Sequence, residues 1–220
     1  MVPRILLDTA PLPGGGELRL VRRGDEYSIM LGAEELMNSR RSGSEAALAA
    51  LACDALGDRP GPRVLIGGLG LGFTLRAALE RLPEDAEVAV AELVPAVVRW
   101  ARGELAHLHG ASLDDKRVRI LEQDVAVAIA DGPWDAILLD VDNGPDGLTL
   151  ASNDRLYAAE GLAAARHALR PGGVLAVWSA GPDAAFTARL RRAGFRVEAH
   201  EARSGAGRGA RHVVWIAARA

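Results

Sequence analysis

From residue 63 onward the chain alternates between two patterns. Short continuous apolar runs, "RVLIGGL", "AEVAVAEL", "RVRILEQD", "WDAILLDVD" and "GGVLAVWSA", are spaced by segments with helical periodicity such as "GFTLRAALERL" and "PAVVRWARGELAHL". Apolar runs without polar alternation belong to strands covered on both faces. Strands separated by helices form a parallel sheet through right-handed crossovers. The last two runs, "FRVEAHEAR" and "HVVWIAAR", are joined by the Gly-rich "SGAGRGAR", which is too short for a crossover helix, so they are expected to pair antiparallel. Ahead of this region, "ELRLVRRGDEYSIML" alternates partially around Arg23-Gly24-Asp25 and predicts a β-hairpin. Between the two lies "SEAALAALACDAL", a predicted helix with Ser44 as its cap and Leu48, Leu51, Ala52 and Leu56 on one face, stopped by "GDRPGP". The expectation is an α/β chain. Residues 1–43 form the hairpin region, and residues 44–220 a mostly parallel seven-stranded sheet with an antiparallel C-terminal pair.

Composition narrows the setting. With 220 residues, 49% of them hydrophobic, the chain can bury one full core with a small appendage. Lys and Arg number 26 against 29 Asp and Glu, so no basic surplus favours a nucleic-acid partner. No run approaches the ~18 apolar residues of a membrane span, and "MVPRILLDTAPLPGGG" lacks the apolar core of a signal peptide. The one cysteine, Cys53, excludes an internal disulfide and, set among small apolar residues, reads as a buried thiol. A cytoplasmic protein without membrane association is expected.

In an open α/β sheet ligands bind beyond the carboxyl ends of the strands, so the residues after each strand carry the candidate chemistry. After the first comes "GGLGLGF", which puts Gly68, Gly70 and Gly72 where missing side chains let a ligand approach the backbone. The spacing is G-x-G-x-G, with Phe73 where a dinucleotide fingerprint needs its last glycine. No lysine follows to make a phosphate-binding P-loop. Glu92 ends the second strand at the separation expected for an acid that meets ribose hydroxyls; its alternative is a solvated strand-end acid. Asp124 ends the third, suited to an adenine amine or to capping the next helix. Asp140 ends the fourth, followed by Asp142, Asn143 and a turn acid, Asp146. Acids after three successive strands beside a glycine loop are best explained together, by an adenosyl ligand lying across the strand ends. His107 and His109 fall on different helix faces, so no metal is assigned. Trp100, Trp134 and Trp215 read as core, whereas Trp178, ending the fifth strand, is placed to wall a substrate pocket.

The glycine loop, Glu92, Asp124-Val125 and the later "LRPGGVLAVW" resemble the Rossmann-like class I S-adenosylmethionine-dependent methyltransferases. More narrowly, "VLIGGLGLGFTLR", "AELVPAVVRWAR", "LEQDVAVAI", "WDAILLDVDNGP" and "LYAAEGLAAARHALRPGGVL" are similar in order and spacing to the spermidine synthase (polyamine aminopropyltransferase) family. The resemblance implies that Gly68, Gly70 and Gly72 cradle the methionine part of the cofactor, Glu92 holds the ribose and Asp124 reads the adenine amine. Leu93 and Val125 complete that cofactor-binding set, and Asp140 takes the position of the base that deprotonates the attacking amine. It also implies a homodimer built partly through the hairpin, with Ile29, Met30 and Leu31 as an apolar patch. The departures fall where the family holds the amine of the transferred aminopropyl group and its polyamine acceptor. Leu71 stands where the family has an aspartate, and Glu35, Arg40, Arg41, Ser44 and Glu45 stand where its polyamine-binding motifs fall. In the turn after Asp140 the second acid, Asp142, comes one residue early. Because two arginines repel a polycation, the leading expectation is a methyltransferase using S-adenosylmethionine on a small polar acceptor. Asp140 would be catalytic, and Asp142, Asn143 and Glu35 would contact the substrate. The alternatives are aminopropyl transfer from decarboxylated S-adenosylmethionine, and a non-catalytic adenosyl-nucleoside binder.

Overall fold

The computed structural model describes residues 2–13, 15–141, 154–205 and 209–220. It opens with an antiparallel meander of β1 (Ile5–Pro11), β2 (Glu17–Arg23), β3 (Glu26–Leu31) and β4 (Glu34–Asn38), each paired with the next. The expected hairpin is the β2–β3 pair, turning at Gly24 with φ of +62°. The structure adds a strand on either side. β1, reading "ILLDTAP", has no clean alternation because it is an edge strand with most of its positions exposed; pairing with β2, not local pattern, makes it a strand.

Helix α1 (Gly43–Leu56) leads into the second sheet. It begins one residue before Ser44, and Ser42 takes the cap position without a side-chain hydrogen bond. Ser44 is therefore not the cap; its hydroxyl donates to Glu45 at 2.6 Å. There follow β5 (Arg63–Gly67), α2 (Phe73–Leu79), β6 (Glu87–Ala91), α3 (Pro95–Arg102), α4 (Ala106–His109), β7 (Val118–Leu121), α5 (Val125–Ala130) and β8 (Trp134–Leu139). The chain ends with α6 (Asp154–Tyr157), α7 (Ala159–Ala168), β9 (Leu169–Ser179), α8 (Ala184–Arg192), β10 (Phe195–Arg203) and β11 (Arg211–Arg219). The strand order is β10-β11-β9-β8-β5-β6-β7, with β9 through β7 parallel and the final pair antiparallel, as the sequence pattern requires. β6 and β7 are laid down on one side of β5 and β8 on the other. The topological switch point therefore lies at the carboxyl ends of β5 and β8.

Apolar layers cover both faces of this sheet. One gathers Trp134, Ile137, Phe186 and Trp215. The other joins Leu48, Ile66, Trp100 and Leu105 to Leu18, Leu20 and Ile29 of the N-terminal sheet, so the two sheets share a core. Ile29 and Met30 are buried in the protein's own interior, and Leu31 is half-buried, so the expected apolar surface patch does not exist there. The exposed large apolar side chains of the N-terminal sheet are instead Ile5 and Leu6 on β1. Cys53 is half-buried and burial raises its pKa, which leaves it a poor nucleophile. Among the described residues no helix is long and apolar enough to cross a membrane.

Candidate active site

The parallel strands end in register: Gly67 pairs with both Ala91 and Leu139, and Ala91 pairs with Leu121. The ladder continues one step further, with the amide of Gly68 donating to Ala91 (2.8 Å), Glu92 to Leu121 (2.9 Å) and Asp140 to Gly67 (3.0 Å). The predicted residues are thus delivered to one crevice by four strands far apart in sequence.

The glycine loop is fixed by the protein itself. Gly68, Gly70 and Gly72 have φ of +90°, +48° and +76°, a region side chains avoid. A Cβ on Gly68 would lie 2.4 Å from the Asp140 carbonyl oxygen, and one on Gly72 would lie 2.3 Å from His109 Nδ1. His109 is buried behind the loop with both ring nitrogens unpartnered, and burial lowers its pKa to about 4, so it is a neutral packing group. Among the described residues no group of three metal-binding side chains occurs.

Two chambers open on this crevice. The first encloses about 100 Å³ and is lined by Gly68, Gly70, Glu92, Leu93, Asp124, Val125 and Asp140, with Leu12, Leu18, Ile29, Leu36 and Met37 of the N-terminal region as apolar wall. Glu92 is nearly buried. One carboxylate oxygen accepts the Leu69 amide (3.0 Å) and the other the Val94 amide (2.9 Å), which fixes its orientation. Asp124 caps α5, accepting the Ala126 amide at 2.8 Å, so the bland reading of this residue is realised. Its other oxygen pairs with Arg155, an exposed arginine. Exposed pairs contribute only ~0–1 kcal/mol, so a ligand amine displaces this arginine at little cost. Three carboxylates, Glu92, Asp124 and Asp140, in an otherwise apolar chamber are acceptors that a nucleoside's hydroxyls and amine can use.

The second chamber, about 270 Å³, takes in Gly70, Gly72, Leu71 and Asp140 from the sheet side. From elsewhere it takes Glu35, Arg41, Glu45, Trp178, Ser204 and His212. Glu35 is held by Ser28 (2.8 Å) and Asn38 (2.9 Å). Asp142 and Asn143 lie outside the described residues. Sequence reasoning missed the contributions of Ser204 and His212, which come from the last two strands; no local signal marks them.

Asp140 lines both chambers and forms the point where they meet. Thr74 at the start of α2 donates its hydroxyl to Asp140 Oδ2 at 2.5 Å. Desolvation, with Glu45 adding like-charge repulsion and Thr74 opposing both, pushes the Asp140 pKa from 3.8 to about 7. A carboxylate in that range exchanges protons at neutral pH.

Fold and site together define a Rossmann-like domain of class I S-adenosylmethionine-dependent transferase architecture. No protein-family model matches the chain. The polyamine aminopropyltransferase of Mycobacterium tuberculosis (strain CDC 1551 / Oshkosh) is 30% identical over 194 residues, covering 82% of this chain and 35% of that protein. The polyamine aminopropyltransferase of Mycobacterium bovis (strain ATCC BAA-935 / AF2122/97) gives the same figures. The chain therefore spans about a third of the length of these curated relatives. Spermidine synthase from Thermotoga maritima superposes with a TM-score of 0.76 at 18% identity, covering 98% of this chain and 72% of that one. A spermidine synthase in complex with the transition-state analogue AdoDATO superposes with the same TM-score and coverage at 19% identity. The chain belongs to the spermidine synthase-like, or polyamine aminopropyltransferase, family.

These relatives correct the methyltransferase expectation: the proteins similar in sequence and fold are named for aminopropyl transfer. The glycine loop and the strand-end acids were read for an adenosyl group, which both kinds of donor carry, so that reading does not select between them. Leu71, Arg40 and Arg41, the departures behind that expectation, do not outweigh this likeness in sequence and fold.

Proposed function

We propose that this chain carries an aminopropyltransferase site that joins the aminopropyl group of decarboxylated S-adenosylmethionine to an amine. The observation that carries the reading is that a crevice carrying Glu92 and Asp124 and a chamber carrying Glu35 and Glu45 share one carboxylate, Asp140. Glu92 accepts the two ribose hydroxyls and Asp124 the adenine amine, while Leu93 and Val125 bracket the base. The donor supplies a sulfonium whose aminopropyl carbon is open to attack from the second chamber. The acceptor nitrogen's lone pair forms the new N–C bond as the C–S bond breaks, and its electrons pass to sulfur, leaving methylthioadenosine. The proton lost by the acceptor nitrogen goes to Asp140 and then to solvent. Alignment of nitrogen, carbon and sulfur supplies much of the rate. Asp140 takes the proton from the amine and orients it, and Glu45 beside it raises the basicity of Asp140.

Calorimetry and turnover test this reading. Methylthioadenosine and decarboxylated S-adenosylmethionine are expected to bind, and product amines extended by one aminopropyl group are expected by mass spectrometry. Asp140→Asn is expected to retain nucleoside binding and to lose ~10²–10⁴-fold in turnover. Nucleoside binding without transfer to any primary amine would sink the proposal.

A further inference from the structure

The second chamber is not uniformly acidic. Glu35, Glu45 and Asp140 face it, but so does Arg41, which has no ion-pair partner among the described residues, whereas neighbouring Arg40 pairs with Glu26 at 3.5 Å. Arg41 lies two residues ahead of α1, and no side chain caps that fourteen-residue helix. Its first-turn residues Ser44 and Glu45 line the same chamber. Ser204 abuts this helix end, its carbonyl accepting the Gly43 amide at 3.3 Å. Ser204 is only 4% exposed, and its hydroxyl has no partner among the described residues. Trp178 stacks on His212 with ring centroids 4.9 Å apart, and the Trp178 indole N–H and His212 Nδ1 are likewise buried without partners.

An indole N–H can only donate, and a guanidinium can only donate. Unpaired buried donors are costly in a folded protein unless something accepts from them. A diamine brings a second ammonium, which cannot accept a hydrogen bond from Trp178 and is repelled by Arg41. A carboxylate can accept from Arg41, with Ser204 and Trp178 lining the same chamber, and it suits an uncapped helix N-terminus.

We propose that the acceptor is an amine that also bears a carboxylate, an amino acid rather than a diamine. Its amine sits at Asp140 and its carboxylate lies toward Arg41, Ser204 and Trp178. This rests on the aminopropyl-transfer reading and specifies its substrate. The bond changes are those already given, with the carboxylate unchanged.

The test uses ω-amino acids of three to six carbons, each beside the diamine of equal length. Binding is measured by calorimetry on the protein alone and on the protein saturated with methylthioadenosine; turnover is measured with decarboxylated S-adenosylmethionine. The best amino acid is expected to exceed its matched diamine by about tenfold or more in affinity and kcat/KM, the scale of one charge-assisted hydrogen bond. Arg41→Ala, at an exposed position that does not endanger folding, is expected to remove that preference. Trp178→Phe keeps the ring stack and removes the N–H, and is expected to weaken the amino acid selectively. A diamine bound and used as well as its matched amino acid overturns the substrate assignment while leaving aminopropyl transfer standing. Binding of methylthioadenosine with no amino acid of the series bound overturns it as well. Failure of the transfer reading shows separately, as methylthioadenosine bound with no aminopropyl transfer to any amino acid or diamine, and takes this assignment with it.

Discussion

At the residue scale, function and stability oppose each other at Asp140. The folded protein holds the Asp140 proton up to about pH 7, whereas the unfolded chain releases it near 3.8. Between those values the native state binds the extra proton, so stability falls as pH rises through the window, by on the order of 4 kcal/mol in all. Asp140→Asn, neutral throughout, is expected to melt higher than the wild type at pH 8, with the difference vanishing below pH 4. Equal melting shifts at both pH values would contradict the raised pKa. Asp140, Glu92 and Asp124 were legible as a set because Glu92 and Asp140 follow apolar runs directly and Asp124 comes three residues after one. Thr74 and Glu45, which tune Asp140, were visible as residues but not as its neighbours, since 66 residues separate Thr74 from Asp140 along the chain.

At the scale of elements, the opposite end of the sheet is tied by a second carboxylate. Asp135 on β8 is 2% exposed and accepts from Arg59 Nη1 (3.0 Å), the Arg63 amide (2.9 Å) and Arg170 Nη1 (2.7 Å). It thus links the approach to β5, β5 itself and the start of β9. Removing a buried charge from such a network leaves its partners unsatisfied, so Asp135→Ala is expected to destabilise the protein by about 3 kcal/mol. Equilibrium unfolding in urea checks this; an unmoved midpoint would rule out a structural role. The same substitution is expected to leave methylthioadenosine affinity within about twofold, because Asp135 lies at the end of the sheet away from the crevice. Element types were readable from the continuous apolar runs of β5, β6 and β8. The helix expected over "PAVVRWARGELAHL" divides at Gly103 into α3 and α4, where Leu105 donates back to Trp100 at 2.8 Å, a local choice periodicity does not encode.

At the scale of the molecule, the N-terminal sheet is part of the site. Leu12, Leu18, Ile29, Leu36 and Met37 wall the first chamber, and Trp100 on α3 donates its indole N–H to Asp8 on β1 at 2.6 Å. Because the two sheets share one apolar cluster, deleting residues 1–38 is expected to abolish nucleoside binding and the single cooperative unfolding transition. A truncated chain that melts cooperatively and binds methylthioadenosine would show the sheet to be an accessory.

By itself the sequence determined the doubly wound sheet, its antiparallel end and the order in which the glycine loop and three acids reach the crevice. Those features follow from hydrophobic period and from the rule that loops at strand ends carry the ligand contacts. Only the tertiary structure decided that the expected hairpin has four strands, that Ile29 and Met30 face inward, and that Asp140 sits between two chambers. It alone joined Arg41, Ser204 and Trp178 in the second chamber. The reason is physical. Period and spacing report which face of an element is buried, whereas pKa, chamber shape and unpaired donors depend on which distant elements are packed against it.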